Sequence, residues 1–134
     1  IAWLKKNQAG RATFLPLNNL RPSGVSDRTR NLLREKGVRG IASELVDCDR
    51  RFDDAVEYLL GRVLIVDDLD VAVGLSRRCD NGVRIVTLEG ELVLPAGAIT
   101  GGQGKQKSSG LLARKRELDE FEAKLSLLEK QIGE

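Results

Sequence analysis

The longest regular pattern of apolar positions lies at the end of the chain. Large apolar residues recur there at spacings of 3, 4, 3 and 4, and they are Leu118, Phe121, Leu125, Leu128 and Ile132. This spacing is the a/d seam of a coiled coil, so residues 111–134 are predicted to start a coiled-coil arm. Two to three heptads are too short to be stable alone, and the seam therefore needs a partner helix. Residues 1–8 are too few to supply it.

A different pattern, alternating between strand-like and helix-like segments, occupies residues 41–94. Apolar residues at i, i+3, i+4, i+7 and i+8 over 52–60 indicate a helix with one apolar face, and the unbroken apolar run 63–66 indicates a buried central strand. The predicted elements are a strand over 41–46, a helix over 52–60, a strand over 63–66, a helix from Asp68 or Asp70 to near Cys79, and a hairpin of 83–88 and 91–94. Their order predicts a mixed α/β (α+β) domain.

The first forty residues are more irregular. We expect the end of a helix over 1–8 and a short strand over 12–15 that Pro16 ends. Ser26 is a candidate cap for a helix that runs to Lys36 and stops at Gly37. Only two large apolar residues, Leu32 and Leu33, lie on that helix, which predicts a peripheral position.

The length of the chain limits the kind of protein it can be. The chain has 134 residues, which is enough for one core, and no methionine. It starts inside a predicted helix and ends within heptads, so we expect a fragment of a longer protein, without a membrane span.

The charge is unevenly distributed along the chain. Residues 1–40 carry nine Lys or Arg against Asp27 and Glu35, a net charge of +7, which leaves −5 for residues 41–134. The basic charge of residues 1–40 has two explanations: an anionic partner such as nucleic acid, or helix faces exposed to solvent.

The residues with reactive side chains do not form a catalytic or metal site in the sequence. Cys48 and Cys79 have no metal-ligand spacing, no histidine is present, and the two thiols are predicted to be free. The acidic residues at 53–54 and 67–70 are interpreted as helix caps. The run 101–105 fails the spacing of a phosphate-binding loop. No catalytic residue, metal, cofactor or small-molecule substrate is predicted.

The glycine-rich run 97–104, which follows the hairpin, favours close contact with another backbone. Glycine lets backbone approach backbone and allows positive φ, which suits a contact with another subunit or a sheet edge, whereas 103–110 fits a flexible junction. Basic residues follow within twelve positions and could contact a phosphate backbone with low sequence specificity; they are Lys105, Lys107, Arg114, Lys115 and Arg116.

Four segments in order, at 10–17, 59–63, 84–91 and 95–102, resemble the hinge domain of bacterial-type SMC (structural maintenance of chromosomes) proteins. The resemblance covers the chain and implies the end of the first half of a hinge, its second half and the start of an arm. It implies an SMC-hinge-like half domain, a mixed sheet flanked by helices, over 1–102, a junction over 103–110 and an arm helix over 111–134. The dimer interface it implies consists of Gly97, Ala98, Ile99, Thr100, Gly101 and Gly102.

The resemblance also implies partners and a function. A second hinge would form a homodimer, the arm helix would pair with an antiparallel helix of its own arm, and DNA would bind at the junction of hinge and arm. The expected role is dimerisation in chromosome condensation and segregation, in the cytoplasm at the nucleoid. ATPase activity would reside in head domains outside this segment. A non-SMC coiled-coil adaptor and a small α/β nucleotide-binding enzyme are the alternatives.

Overall fold

The computed structural model describes residues 1–102 and 110–133. The chain divides into two compact units, Ile1–Gly101 and Gly102–Glu134. The described elements, in chain order, are α1 (Ala2–Lys6), α2 (Asp27–Leu32), β1 (Val38–Ile41), α3 (Ala42–Leu45), a 3₁₀ turn (Arg50–Phe52), α4 (Asp53–Leu60), β2 (Val63–Val66), α5 (Leu69–Ser76), β3 (Arg84–Thr87), β4 (Leu92–Val93), β5 (Ile99–Thr100) and α6 (Leu111–Ile132).

A single mixed sheet with the order β1-β2-β3-β4-β5 organises the first unit. β2 and β3 are parallel, with Leu64 opposite Ile85, and the other neighbouring pairs are antiparallel. α5 makes the crossover between the two parallel strands, as a parallel pair requires. Leu64, Val66 and Ala72 are completely buried in the core between this helix and the sheet. The predicted mixed α/β fold is therefore confirmed.

Local sequence explains the central crossover. The run Val63–Val66 has no polar residue because β2 lies inside the sheet, where a strand is covered on both faces. The carboxylate of Asp68 accepts a hydrogen bond from the N–H of Val71 at 2.9 Å, which caps α5 as predicted. The β3–β4 hairpin also forms as predicted, and its turn places Gly90 at φ +89°.

Two predicted strands are wrong. Residues 12–15 form no strand, and Phe14 is exposed, because no described segment offers them a ladder partner. The predicted strand at 41–46 is replaced by β1, which begins earlier at Val38, and by α3. Ala42, Glu44 and Leu45 are good helix formers, so the chain turns into a helix as soon as the pairing with β2 ends at Ile41.

The predicted helix from Ser26 to Lys36 is shorter, since α2 ends at Leu32 and turns lead into β1. Leu32 and Leu33 pack against the core, so this segment is less peripheral than its composition indicated. Ser26 occupies the N-cap position, but its hydroxyl donates to Oδ1 of Asp80 at 2.7 Å and makes no cap hydrogen bond to the helix. The bond ties the segment before α2 to the chain after α5.

Candidate dimer interface and arm helix

A tight turn positions the predicted interface segment. The N–H of Gly97 donates to the carbonyl of Leu94 and the N–H of Leu94 donates to the carbonyl of Ala98, both at 2.8 Å. Pro95 fits the second position of this turn because its fixed φ matches the backbone there. Gly97 has φ +86°, a conformation that other residues adopt only with strain. The turn reverses the chain and lays β5 against β4.

β5 is an edge strand of the sheet. Ile99 and Thr100 pair with Val93 and Leu92 of β4, and within residues 1–102 and 110–133 nothing pairs with their other side. All six residues from Gly97 to Gly102 are exposed, and Ile99 is 50% exposed despite its apolar side chain. An exposed strand edge presents free N–H and carbonyl groups to a second strand. The geometry therefore suits pairing with another chain.

The glycines of this segment serve different purposes. Gly97 and Gly102 have positive φ, of 86° and 112°, so the backbone itself requires glycine there. Gly101 has an ordinary φ, and a Cβ on it would lie 3.1 Å from Cγ of Glu91, whose carboxylate accepts a hydrogen bond from the hydroxyl of Thr87. At Gly101 the close approach of Glu91, and not the backbone conformation, leaves little room for a side chain.

α6 carries the predicted coiled-coil seam on one helix. Each of its five predicted seam residues is at least 55% exposed, and every described residue of 110–133 is exposed. Arg114, Glu117, Leu118 and Phe121 line a depression of about 240 Å³ on the helix surface. These residues stand at i, i+3, i+4 and i+7, the arrangement that forms a hole for the knob of a facing helix.

Two seam positions were missed in the sequence prediction. Leu111 lies seven residues before Leu118, and Arg114 lies seven residues before Phe121, so both continue the heptad toward the start of α6. The period of seven could have found both positions, since each lies one heptad before a predicted seam residue. It places one cation, Arg114, in an otherwise apolar seam. Arg114 therefore belongs both to the predicted DNA-binding cluster and to the seam.

The structure brings together only part of the predicted basic cluster. Lys105 and Lys107 lie outside the described residues. Arg114, Lys115 and Arg116 are exposed in the first two turns of α6, which contains no acidic residue in its first turn and begins at Gly110 without a side-chain cap. Consecutive helical residues point about 100° apart, so the three cations surround the helix and do not share one face.

Other reactive groups have structural roles. The acidic residues at 53–54 lie in the first turn of α4, and the described residues contain no group of three or more acidic, Cys or His side chains able to hold a metal. Both cysteines are free thiols. Desolvation raises the pKa of Cys48, as does the nearby carboxylate of Asp53, and burial raises the pKa of Cys79.

No described helix is long and apolar enough to cross a membrane.

Comparison with known proteins agrees with this architecture. The model of the SMC proteins Flexible Hinge Domain family matches residues 1–76. The chain is 42% identical to the Chromosome partition protein Smc of Bacillus subtilis over 98% of its own length and 12% of that protein. It is 37% identical to the protein of the same name from Halothermothrix orenii, over 100% of this chain and 11% of that one.

Solved hinge domains share the fold. An asymmetric dimer of the Geobacillus stearothermophilus SMC hinge domain is 42% identical with a TM-score of 0.77, over 99% of this chain and 53% of that chain. The Pyrococcus furiosus Smc hinge domain with an extended coiled coil is 30% identical with a TM-score of 0.57, over 98% and 46%. The chain belongs to the SMC hinge domain family. It spans about an eighth of the length of the curated relatives.

Proposed function

We propose that this chain mediates dimerisation of an SMC protein that acts in chromosome condensation and segregation, in the cytoplasm at the nucleoid. The observation that carries the proposal is the edge of β5, next to Gly101, which has no strand partner among the described residues. The described dimer of the Geobacillus stearothermophilus hinge domain supports it, since that chain is 42% identical to this one. The partner is a second hinge, and the homodimer forms through residues 97–102.

The proposed organisation has three parts: a partial hinge over 1–102, a junction over 103–110, and an arm over 111–134 whose seam pairs with an antiparallel helix of its own arm. The hole around Leu118 supports the pairing, because it has the shape that receives a knob. This chain has no catalytic role in the proposal, and ATP hydrolysis belongs to head domains of the longer protein.

The dimer proposal is tested by Gly101→Val in the full-length protein. A branched side chain at the edge should obstruct strand pairing between subunits, and the fold must accommodate its Cβ by a small shift of Glu91. Sedimentation in the absence of nucleotide should then show a monomer. Gly110→Val is the matched control, since its Cβ would meet nothing within 4 Å, and it should stay dimeric. A tight dimer of the Gly101 variant, shown to be folded by circular dichroism, contradicts the assignment.

We also propose that the basic cluster 105–116 contacts DNA phosphates. The specific observation in its favour is the start of α6, where Arg114, Lys115 and Arg116 lie near the positive end of the helix dipole without an acidic residue in the first turn. An anion such as a DNA phosphate is favoured near the N-terminal end of a helix. The contacts are with the backbone, and low sequence specificity is expected.

Replacing Lys105, Lys107, Arg114, Lys115 and Arg116 with Glu should weaken DNA binding and flatten its salt dependence, because fewer counterions are released. The matched control reverses five exposed cations elsewhere, namely Lys5, Lys6, Arg11, Arg34 and Lys36. Fluorescence anisotropy over a salt series measures both slopes. If the salt dependence of DNA binding is unchanged in the first variant, the cluster does not contact DNA. If both variants lose DNA affinity equally, the effect is due to overall charge and not to the cluster.

The two alternatives make other predictions. A coiled-coil adaptor would bind a foreign protein and stay monomeric in solution, and a small nucleotide-binding enzyme would bind ATP tightly through this chain. A mass measurement in solution and a calorimetric titration with ATP distinguish them from a hinge.

A further inference from the structure

A groove lies between α5 and the β4–β5 hairpin, next to the edge strand. Its volume is about 450 Å³. Buried Val93 is among the residues that line it, Val73 and Arg77 contribute from the helix, and Gly97 and Ile99 contribute from the hairpin. The groove therefore shares two residues with the proposed dimer segment, and a subunit that pairs with β5 would also reach it.

The groove combines polar and apolar surface, and exposed aliphatic side chains supply its apolar part. Val73 is 36% exposed and Ile99 is 50% exposed, although each has a branched aliphatic side chain. The hydroxyl of Ser76, which also lines the groove, already donates to the carbonyl of Val73 at 2.8 Å. Burying exposed aliphatic side chains such as Val73 and Ile99 under another apolar side chain is favourable.

Among the described residues that line the groove, Arg77 alone is charged. Within the described part of the chain its side chain makes no ion pair or hydrogen bond. Its neighbour Arg78 differs, because it donates two hydrogen bonds to the carboxylate of Glu35, at 2.6 and 2.7 Å. Arg78 holds α5 to the segment after α2, whereas the guanidinium of Arg77 remains available as a bidentate donor to a carboxylate.

We propose that this groove extends the dimer contact and receives two side chains of the second hinge: an acidic side chain that pairs with Arg77, and an aliphatic side chain that packs on Val73 and Ile99. The inference rests on the proposed dimerisation, because continuity with residues 97–99 argues for the second hinge as occupant. A DNA phosphate could also pair with Arg77, but it would leave the aliphatic walls uncovered.

The test compares Arg77→Gln with the unchanged full-length protein, without nucleotide. Loss of the guanidinium should raise the dissociation constant of the dimer by roughly tenfold or more and reduce its salt dependence, because a charge pair between subunits is lost. Arg77→Lys should keep part of the affinity and the salt dependence. Arg34→Gln, at an exposed cation of the turn after α2, is the matched control and should change neither.

The outcomes separate this inference from the proposed function. If Gly101→Val gives monomers and Arg77→Gln leaves the dimer unchanged, the groove inference is overturned and the edge contact stands. If Gly101→Val leaves the dimer intact, the edge contact fails, and the groove inference fails with it. A loss of DNA affinity in Arg77→Gln at unchanged dimer affinity would assign the groove to a phosphate and overturn the proposal.

Discussion

The two units of the chain use the same apolar residue types to opposite effect. In the unit that ends at Gly101, leucine and valine of β2 are completely buried by elements of the same unit, as Leu64 and Val66 show. In α6, every described residue is exposed, including the leucines of the seam. Periodic apolar residues are enough to specify a helix, but burial requires a second surface. The first unit supplies that surface itself, and α6 presents its seam for a partner.

The largest expected effect comes from removing one leucine in each unit. Leu64→Ala should lower the free energy of unfolding of the first unit by about 2–5 kcal/mol, because the residue is 0% exposed and leaves a cavity. Leu125→Ala, at a residue 58% exposed, should change it by less than about 0.5 kcal/mol. Urea denaturation followed by circular dichroism measures both. Equal losses would abolish the distinction between the units.

Backbone conformation is the next contrast, since positive φ occurs at several glycines of the first unit and at none of residues 110–133. Gly97→Ala should cost about 1 kcal/mol because φ is +86°. Gly74→Ala, inside α5 with nothing within 4 Å of the added Cβ, should stabilise by about 0.8–1.0 kcal/mol. Thermal unfolding compares the two. Destabilisation by both variants would show that α5 has no room for a methyl group.

Helix capping gives a contrast of similar size. Asp68→Ala removes the side chain that caps α5 and should cost about 1 kcal/mol in the unfolding of the first unit. Gly110 offers α6 no side-chain cap, so Gly110→Asp should increase the helix content of the arm and leave the unfolding of the first unit unchanged. Circular dichroism and urea denaturation read the two effects separately. If Gly110→Asp changed the unfolding of the first unit, the stabilities of the two units would be coupled, contrary to this prediction.

Acid should act on the first unit through Asp80. Hydrogen bonds from the Ser26 side chain, and then from its N–H, lower the pKa of Asp80 below its usual 3.8. A lowered folded-state pKa means that the stabilisation is present at neutral pH and is lost as the pH falls below 3.8 through the folded-state value. Arg78 lowers the pKa of Glu35 in the same direction.

Asp80→Asn should therefore destabilise the first unit at pH 7 and weaken the acid dependence of its unfolding. Glu89→Gln, at the exposed β3–β4 turn, removes the same charge without breaking the link to Ser26 and is the control. Unfolding midpoints measured between pH 2 and 7 provide the comparison. Parallel pH profiles for Asp80→Asn and the unchanged chain would show that the Ser26 contact does not stabilise the fold.

The sequence predicted the elements whose pattern is local and strong. The run Val63–Val66 forms a strand, Asp68 caps α5, and the heptad segment forms a helix, each where expected. It failed at 12–15 and 41–46, because a strand exists only where another strand offers a ladder, and pairing is a property of distant residues. Of the proposed interface, the glycine positions were visible in the sequence, but their different φ values and the groove beside Arg77 were not.

The sequence alone determined the family and the change from a globular pattern to a heptad pattern, since each depends on residue types at fixed spacings. Only the tertiary structure showed that β5 is an edge strand, that a Cβ at Gly101 would crowd Glu91, and that Arg77 lines a groove while Arg78 holds Glu35. Those properties depend on which surfaces meet, and residues far apart in the chain decide that together.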